Sequence, residues 1–149
     1  MREVEMTKGA IGVVLAALAV AAGGGSAGAQ TLECTITGTP GADRLMGTAG
    51  DDVICGLGGN DRIFAGGGND TVAGGRGQDR IQGGRGDDML LGGRGADIVT
   101  GGRGADTLLG GRGRDLLVTR DGVESNDSAD GGPGTDRCRA DSGDTVTSC

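Results

Sequence analysis

The amino-acid sequence predicts an all-β chain wound as a parallel solenoid, and three observations point to it. The 149 residues include 36 glycines, a single phenylalanine and no tryptophan, tyrosine or histidine. That is too little bulky apolar material for an ordinary close-packed core. From Gly38 to Val118 the chain divides without insertion into nine nonapeptides, so the glycine is phased and not merely low-complexity. The eighth position of every copy is aliphatic between variable neighbours, the alternation of a short strand with one side chain inward.

The elements follow in chain order. "IGVVLAALAVAA" (Ile11 to Ala22) is an uncharged apolar run behind Lys8, followed by small residues ending at Ala27 to Ala29. It is too short for a comfortable membrane span and reads as a signal peptide over 1–29, with an uncleaved anchor as the alternative. The chain is therefore expected to be secreted, with no membrane segment after cleavage. Removing Arg2, Glu3, Glu5 and Lys8 leaves the net charge at −7. "TLECTIT" (Thr31 to Thr37) alternates, and Ile36 lies nine residues before Leu45, so 30–37 reads as a capping strand already in register.

Residues 38–118 form the repeat array. The fourth position is glycine in all nine copies, from Gly41 to Gly113. The sixth is always aspartate: Asp43, Asp52, Asp61, Asp70, Asp79, Asp88, Asp97, Asp106 and Asp115. The eighth is Leu45, Ile54, Ile63, Val72, Ile81, Leu90, Val99, Leu108 or Leu117. Six glycine-rich residues make a sharp turn, because glycine takes positive φ cheaply, and the remaining three make a minimal strand. Two copies complete one coil, so odd copies stack along one edge and even copies along the other.

Stacked aspartates would then lie about 4.8 Å apart, the spacing of paired strands. Each adjacent pair repels by roughly 1 kcal/mol in water and by a few kcal/mol at intermediate dielectric. A hard dication ligated by carboxylates and turn carbonyls reverses the sign, and calcium, with six to eight oxygen ligands, suits the geometry better than magnesium. The thin apolar axis is too small to offset the backbone entropy alone, so the chain is expected to be disordered without Ca2+ and cooperatively folded with it.

The pattern resembles the hemolysin-type (RTX) calcium-binding nonapeptide, GGxGxDxUx, over 38–118 and again at "GGPGTDRCR" (Gly131 to Arg139), which adds Asp136 to the candidate ligands. The resemblance implies a right-handed parallel β-roll with Ca2+ in its turns. One ion per gap between stacked copies, four gaps on the odd edge and three on the even, gives about seven ions. Early copies depart from the pattern: Thr39, Thr48 and Leu57 replace the second glycine and Ala65 the first, so weaker binding is expected there, while Gly41, Gly50, Gly59 and Gly68 keep the tightest turn position. Cys138 stands where the aliphatic residue belongs, which makes the last copy a cap.

The segment 119–149 reads as a polar loop ("TRDGVESNDSAD", Thr119 to Asp130), then the degenerate copy and a C-terminal cap. Four cysteines in an exported chain imply disulfides. Three pairings are open; proximity favours Cys34–Cys55 and Cys138–Cys149, one clasp at each end. Zinc is the rival, without the usual Cys-x-x-Cys spacing.

Arg76, Arg94 and Arg112 on one edge, Arg85 and Arg103 on the other, and Arg44, Arg62 and Arg80 on one outer sheet balance the aspartates in the plainer reading. In the sharper one they dock an anionic cell-wall or surface polymer, making the chain an adhesin-like module. Met89, Leu91 and Leu109 point outward, either to a partner surface or, preferably, under the C-terminal tail. The "GGRG" copies lack the aromatics and basic balance of RNA-binding boxes, so no nucleic acid is expected. The "RGD" at Arg85 to Asp87 follows from the repeat frame. Without histidine or a nucleophile-elbow serine, no enzyme activity is expected. The chain reads as a secreted, monomeric calcium-binding module. A detached fragment of a secreted enzyme or toxin is the remaining alternative.

Overall fold

The computed structural model describes residues 33–121 and 126–149. The expected signal at 1–29 and the first residues of the capping strand lie outside them. The described chain contains thirteen strands and no helix: β1 Ile36–Thr37, β2 Arg44–Met46, β3 Val53–Cys55, β4 Arg62–Gly67, β5 Thr71–Arg76, β6 Arg80–Arg85 and β7 Met89–Gly95, then β8 Ile98–Arg103, β9 Thr107–Gly113, β10 Leu116–Val118, β11 Ser128–Asp130, β12 Arg137–Arg139 and β13 Thr145–Thr147. Odd-numbered strands form one sheet and even-numbered strands the other, each in the order β1-β3-β5-β7-β9-β11-β13 or β12-β10-β8-β6-β4-β2. All pairings are parallel. Leu45 faces Ile63, which faces Ile81, an offset of two nonapeptides, so the parallel β-solenoid holds as expected.

The eighth-position residues make the core. Ile54, Ile63, Val72, Ile81, Leu90, Val99, Leu108 and Leu117 are buried in one continuous cluster, extended by Ala129 and flanked by the half-buried Ile36, Leu45 and Cys138. β1 pairs with β3 through Ile36 and Ile54, which puts the N-terminal strand in the expected register.

Strand length departs from the sequence reading. Three-residue strands were expected, yet β4 to β9 run to six or seven residues and carry the ladder into the glycines, as in Gly66 opposite Gly84 and Gly93 opposite Gly111. With a coil above and below, the turn amides and carbonyls find partners in one another, and an unpaired buried amide would be costly. Gly77 N–H, for example, donates to Arg94 C=O at 2.8 Å.

The C-terminal segment also differs. Ser128–Asp130, placed in a polar loop by sequence, is β11, with Ala129 opposite Leu108. β12 and β13 continue the two sheets, with Cys138 opposite Leu117 and Val146 opposite Ala129. The step from Leu108 to Ala129 is 21 residues where the array steps 18, so three extra residues are absorbed in that coil. The described tail thus lengthens the sheet bearing Met89, Leu91 and Leu109 and does not fold across those half-buried side chains.

Cys34–Cys55 and Cys138–Cys149 are disulfides, with Cα atoms 5.9 and 5.7 Å apart. No free cysteine remains for zinc. Among the described residues no helix is long and apolar enough to cross a membrane.

Candidate metal centre

Each sixth-position aspartate stands at the corner where a glycine turn enters its strand, and the two oxygens of its carboxylate have different tasks. Oδ1 accepts the backbone N–H of the aspartate one coil earlier. On one edge Asp43 N–H donates to Asp61, Asp61 to Asp79, Asp79 to Asp97, Asp97 to Asp115 and Asp115 to Asp136, at 2.8–2.9 Å. On the other, Asp52 donates to Asp70, Asp70 to Asp88, Asp88 to Asp106 and Asp106 to Asp127, at 2.7–2.9 Å. The aspartates therefore stack as expected, each anchored to backbone as well as facing its neighbours.

Oδ2 turns into the glycine loop of its own copy. A Cβ on Gly92 or Gly110 would lie 2.7 Å from the Oδ2 of Asp97 or Asp115, so the first glycine of the motif leaves the space that the carboxylate fills. The Oδ2 atoms of Asp61, Asp70, Asp79, Asp88, Asp97, Asp106, Asp115, Asp127 and Asp136 are buried without a hydrogen-bond partner. A buried ionised oxygen with no donor is strongly unfavourable, and repetition of the same orphan in nine turns marks a site that awaits a positive charge.

The electrostatics agree. Burial pushes the Asp97 and Asp106 carboxyls up to about 7 and Asp88 up to about 6. Hydrogen bonds from the preceding aspartate amides oppose the rise. The charges stacked above and below add to it, Asp79 and Asp115 on Asp97, Asp88 and Asp127 on Asp106. Asp61, Asp70, Asp79, Asp115 and Asp127 are raised by burial in the same way. Asp52 moves downward instead, because the Thr48 amide and hydroxyl both donate to it.

A family model for the RTX calcium-binding nonapeptide repeat matches the chain in four copies, over residues 37–72, 64–99, 82–117 and 121–146. The chain belongs to the RTX calcium-binding nonapeptide repeat family. No curated protein and no solved structure matches it.

As an RTX protein the chain is a calcium-binding structural module, and its own atoms fit that ion. The orphaned atoms are hard oxygens, and the neighbouring groups in each turn are glycine carbonyls; a Cβ on Gly84 would run into the Gly66 carbonyl and one on Gly93 into that of Gly75. An all-oxygen set suits Ca2+ and offers nothing to a soft metal. Among the described residues no three acidic or thiol side chains converge on one point, and the further oxygens beside each Oδ2 are backbone carbonyls. Bound calcium would supply the positive charge that these turns lack.

Sequence reading missed two aspartates. Asp127 precedes β11 and takes the ladder bond from Asp106; its signal was its place nine residues before Asp136, with Ala129 nine before Cys138. Asp144 ends the same edge, accepting from Asp127 N–H at 3.4 Å. Also missed was an outer ladder at the fifth position that runs the opposite way. Asp51 accepts from Asn69 N–H, Asn69 from Asp87, and Asp87 from Ala105, at 2.7–2.9 Å, while Asn60 accepts from Gln78 at 2.8 Å. It binds coils together without any ion. The fourth-position expectation needs correction too: Gly59, Gly68 and Gly77 have positive φ, but Gly41 and Gly50 do not, and a Cβ there meets nothing closer than 3.7 Å.

Proposed function

We propose that the chain is a secreted, non-catalytic, monomeric module whose coils fold on binding extracellular Ca2+. The observation that carries this is the set of nine buried Oδ2 atoms without donors, spaced one coil apart along both edges. Of the ten aspartates marked by sequence, Asp61, Asp70, Asp79, Asp88, Asp97, Asp106, Asp115 and Asp136 are the proposed carboxylate ligands, joined by Asp127, whereas Asp43 and Asp52 already accept two donors each at Oδ2. About seven ions fill the gaps, given one per gap. Each ion is shared between turns of successive coils, so binding at one turn orders the next and favours cooperative folding. The two disulfides, suited to an oxidising compartment, support the secreted reading. Isothermal calorimetry with a metal count should give about seven Ca2+ per chain; one or two would contradict the regular columns.

A second reading is favoured by Arg44, Arg62 and Arg80, which are exposed and in register on the outer face of the even-numbered sheet, with Arg44 over the Phe64 ring at 5.5 Å. A row of guanidinium groups at strand spacing suits an anionic wall or surface polymer. Co-sedimentation with cell envelope in calcium should fall at least several-fold on changing all three to serine, and unchanged retention excludes this face.

A further inference from the structure

We propose that Thr39 and Thr48 close the first turn of each edge to calcium, so that the ion columns begin one coil later, at Asp61 and Asp70. The inference rests on the calcium reading above and fixes where that ion does and does not bind.

The two threonines hold the same position, the second of the nonapeptide, and do the same thing. Asp43 Oδ2 accepts the Thr39 amide at 2.6 Å and the Thr39 hydroxyl at 2.9 Å. Asp52 Oδ2 accepts the Thr48 amide at 2.6 Å and the Thr48 hydroxyl at 2.9 Å. These oxygens occupy the place in their turns that is orphaned in the seven copies that follow and at Asp127 and Asp136. An amide and a hydroxyl present the positive ends of two dipoles to the carboxylate. A cation arriving there must displace both and meets their hydrogens first.

Backbone conformation separates the two kinds of turn. In open copies the second residue is left-handed: Gly66, Gly75, Gly84, Gly93, Gly102 and Gly111 have φ between 105° and 128°. Thr39 and Thr48 are not among the positive-φ residues. Leu57 decides what matters. It is also a non-glycine second residue, yet it adopts φ 75°, a region costly for an L side chain, and its Asp61 is open. The presence of a side chain does not close a turn. A backbone that turns its amide toward the carboxylate, held by a hydroxyl that donates beside it, does.

The far end of the Asp70 edge is closed by the same chemistry. The buried Thr119 hydroxyl donates to Asp144 Oδ2 at 2.9 Å, and the Asp141 amide donates to that oxygen at 2.9 Å. Open aspartates are then Asp61, Asp79, Asp97, Asp115 and Asp136 on one edge and Asp70, Asp88, Asp106 and Asp127 on the other. They bound four gaps and three, about seven ions on the one-per-gap geometry, displaced one coil toward the C-terminus from an array counted from Asp43 and Asp52. The first coil, with its own donors and the Cys34–Cys55 bond, is a metal-free end cap.

The test counts calcium per chain by mass spectrometry after gel filtration in Ca2+, for the wild type and Thr48→Gly, and locates the ions in wild-type crystals by calcium anomalous scattering. Thr48→Gly should hold about one ion more than wild type, and the wild-type ions should start at Asp61 and Asp70. An ion beside Asp43 or Asp52 Oδ2 in wild type overturns the inference even if the variant fails to fold, as does a folded variant with an unchanged count. A wild type that holds no calcium overturns the calcium reading itself and this inference with it.

Discussion

The behaviour of one residue, Asp97, contains the logic of the whole array. Its Oδ1 is bonded to Asp79 N–H at 2.8 Å, its Oδ2 is buried and alone, and burial raises its pKa to about 7. Asp97→Asn keeps an oxygen for the ladder and removes the charge. In chelator, the variant should be more ordered than wild type, by on the order of 1–3 kcal/mol, the penalty of an unsatisfied buried charge-bearing group. In calcium it should be less stable and bind fewer ions. Strand content in chelator and urea unfolding in calcium, both followed by circular dichroism, check the sign reversal; a loss in both would mean that the carboxylate is structural only.

At the scale of the element, an edge column is a set of coupled acids. Asp88, Asp97 and Asp106 have folded-state pKa values raised to about 6, 7 and 7, against an ordinary aspartate value of 3.8. For groups raised in this way, the folded form binds protons that the unfolded form has released. Their contribution is fully present below about pH 4 and is lost as pH climbs through 6 and 7. Protons thus substitute for calcium: in chelator, strand content should be higher at pH 4.5 than at pH 7.5, and calcium affinity should fall on acidification. Strand content independent of pH in chelator would contradict this. The element scale is also where sequence reading was strongest and where it stopped. The period of nine fixed each strand's inward residue, from Leu45 to Leu117, because an aliphatic residue in a polar background has one place to go. It could not show that the glycines pair through the turn, since that depends on the coil above and below. The extra strand at Ala129 was hidden by its small side chain and by three inserted residues that broke the phase. The direction of each carboxylate oxygen, and therefore the difference between Thr48 and Leu57, depends on backbone dihedrals that residue types alone do not specify.

At the largest scale, the described repeat unit within Cys34–Cys149 is a one-dimensional stack: each coil touches the next through two parallel ladders, a line of single aliphatic side chains and the aspartate columns. Such a stack gains stability from its interfaces more than from any one coil. Clasps at Cys34–Cys55 and Cys138–Cys149 secure the ends, and the outer asparagine and aspartate ladder ties coils without metal. What remains unsatisfied is electrostatic, nine inward oxygens on two edges. The central claim is that divalent calcium satisfies them and thereby holds the coils together. Far-ultraviolet circular dichroism of the disulfide-intact chain at pH 7.5, titrated with calcium from a chelated start, tests it most directly. The account predicts a largely unordered spectrum that converts cooperatively to a β spectrum as calcium is added. A full β spectrum in chelator, unchanged by calcium, would contradict it.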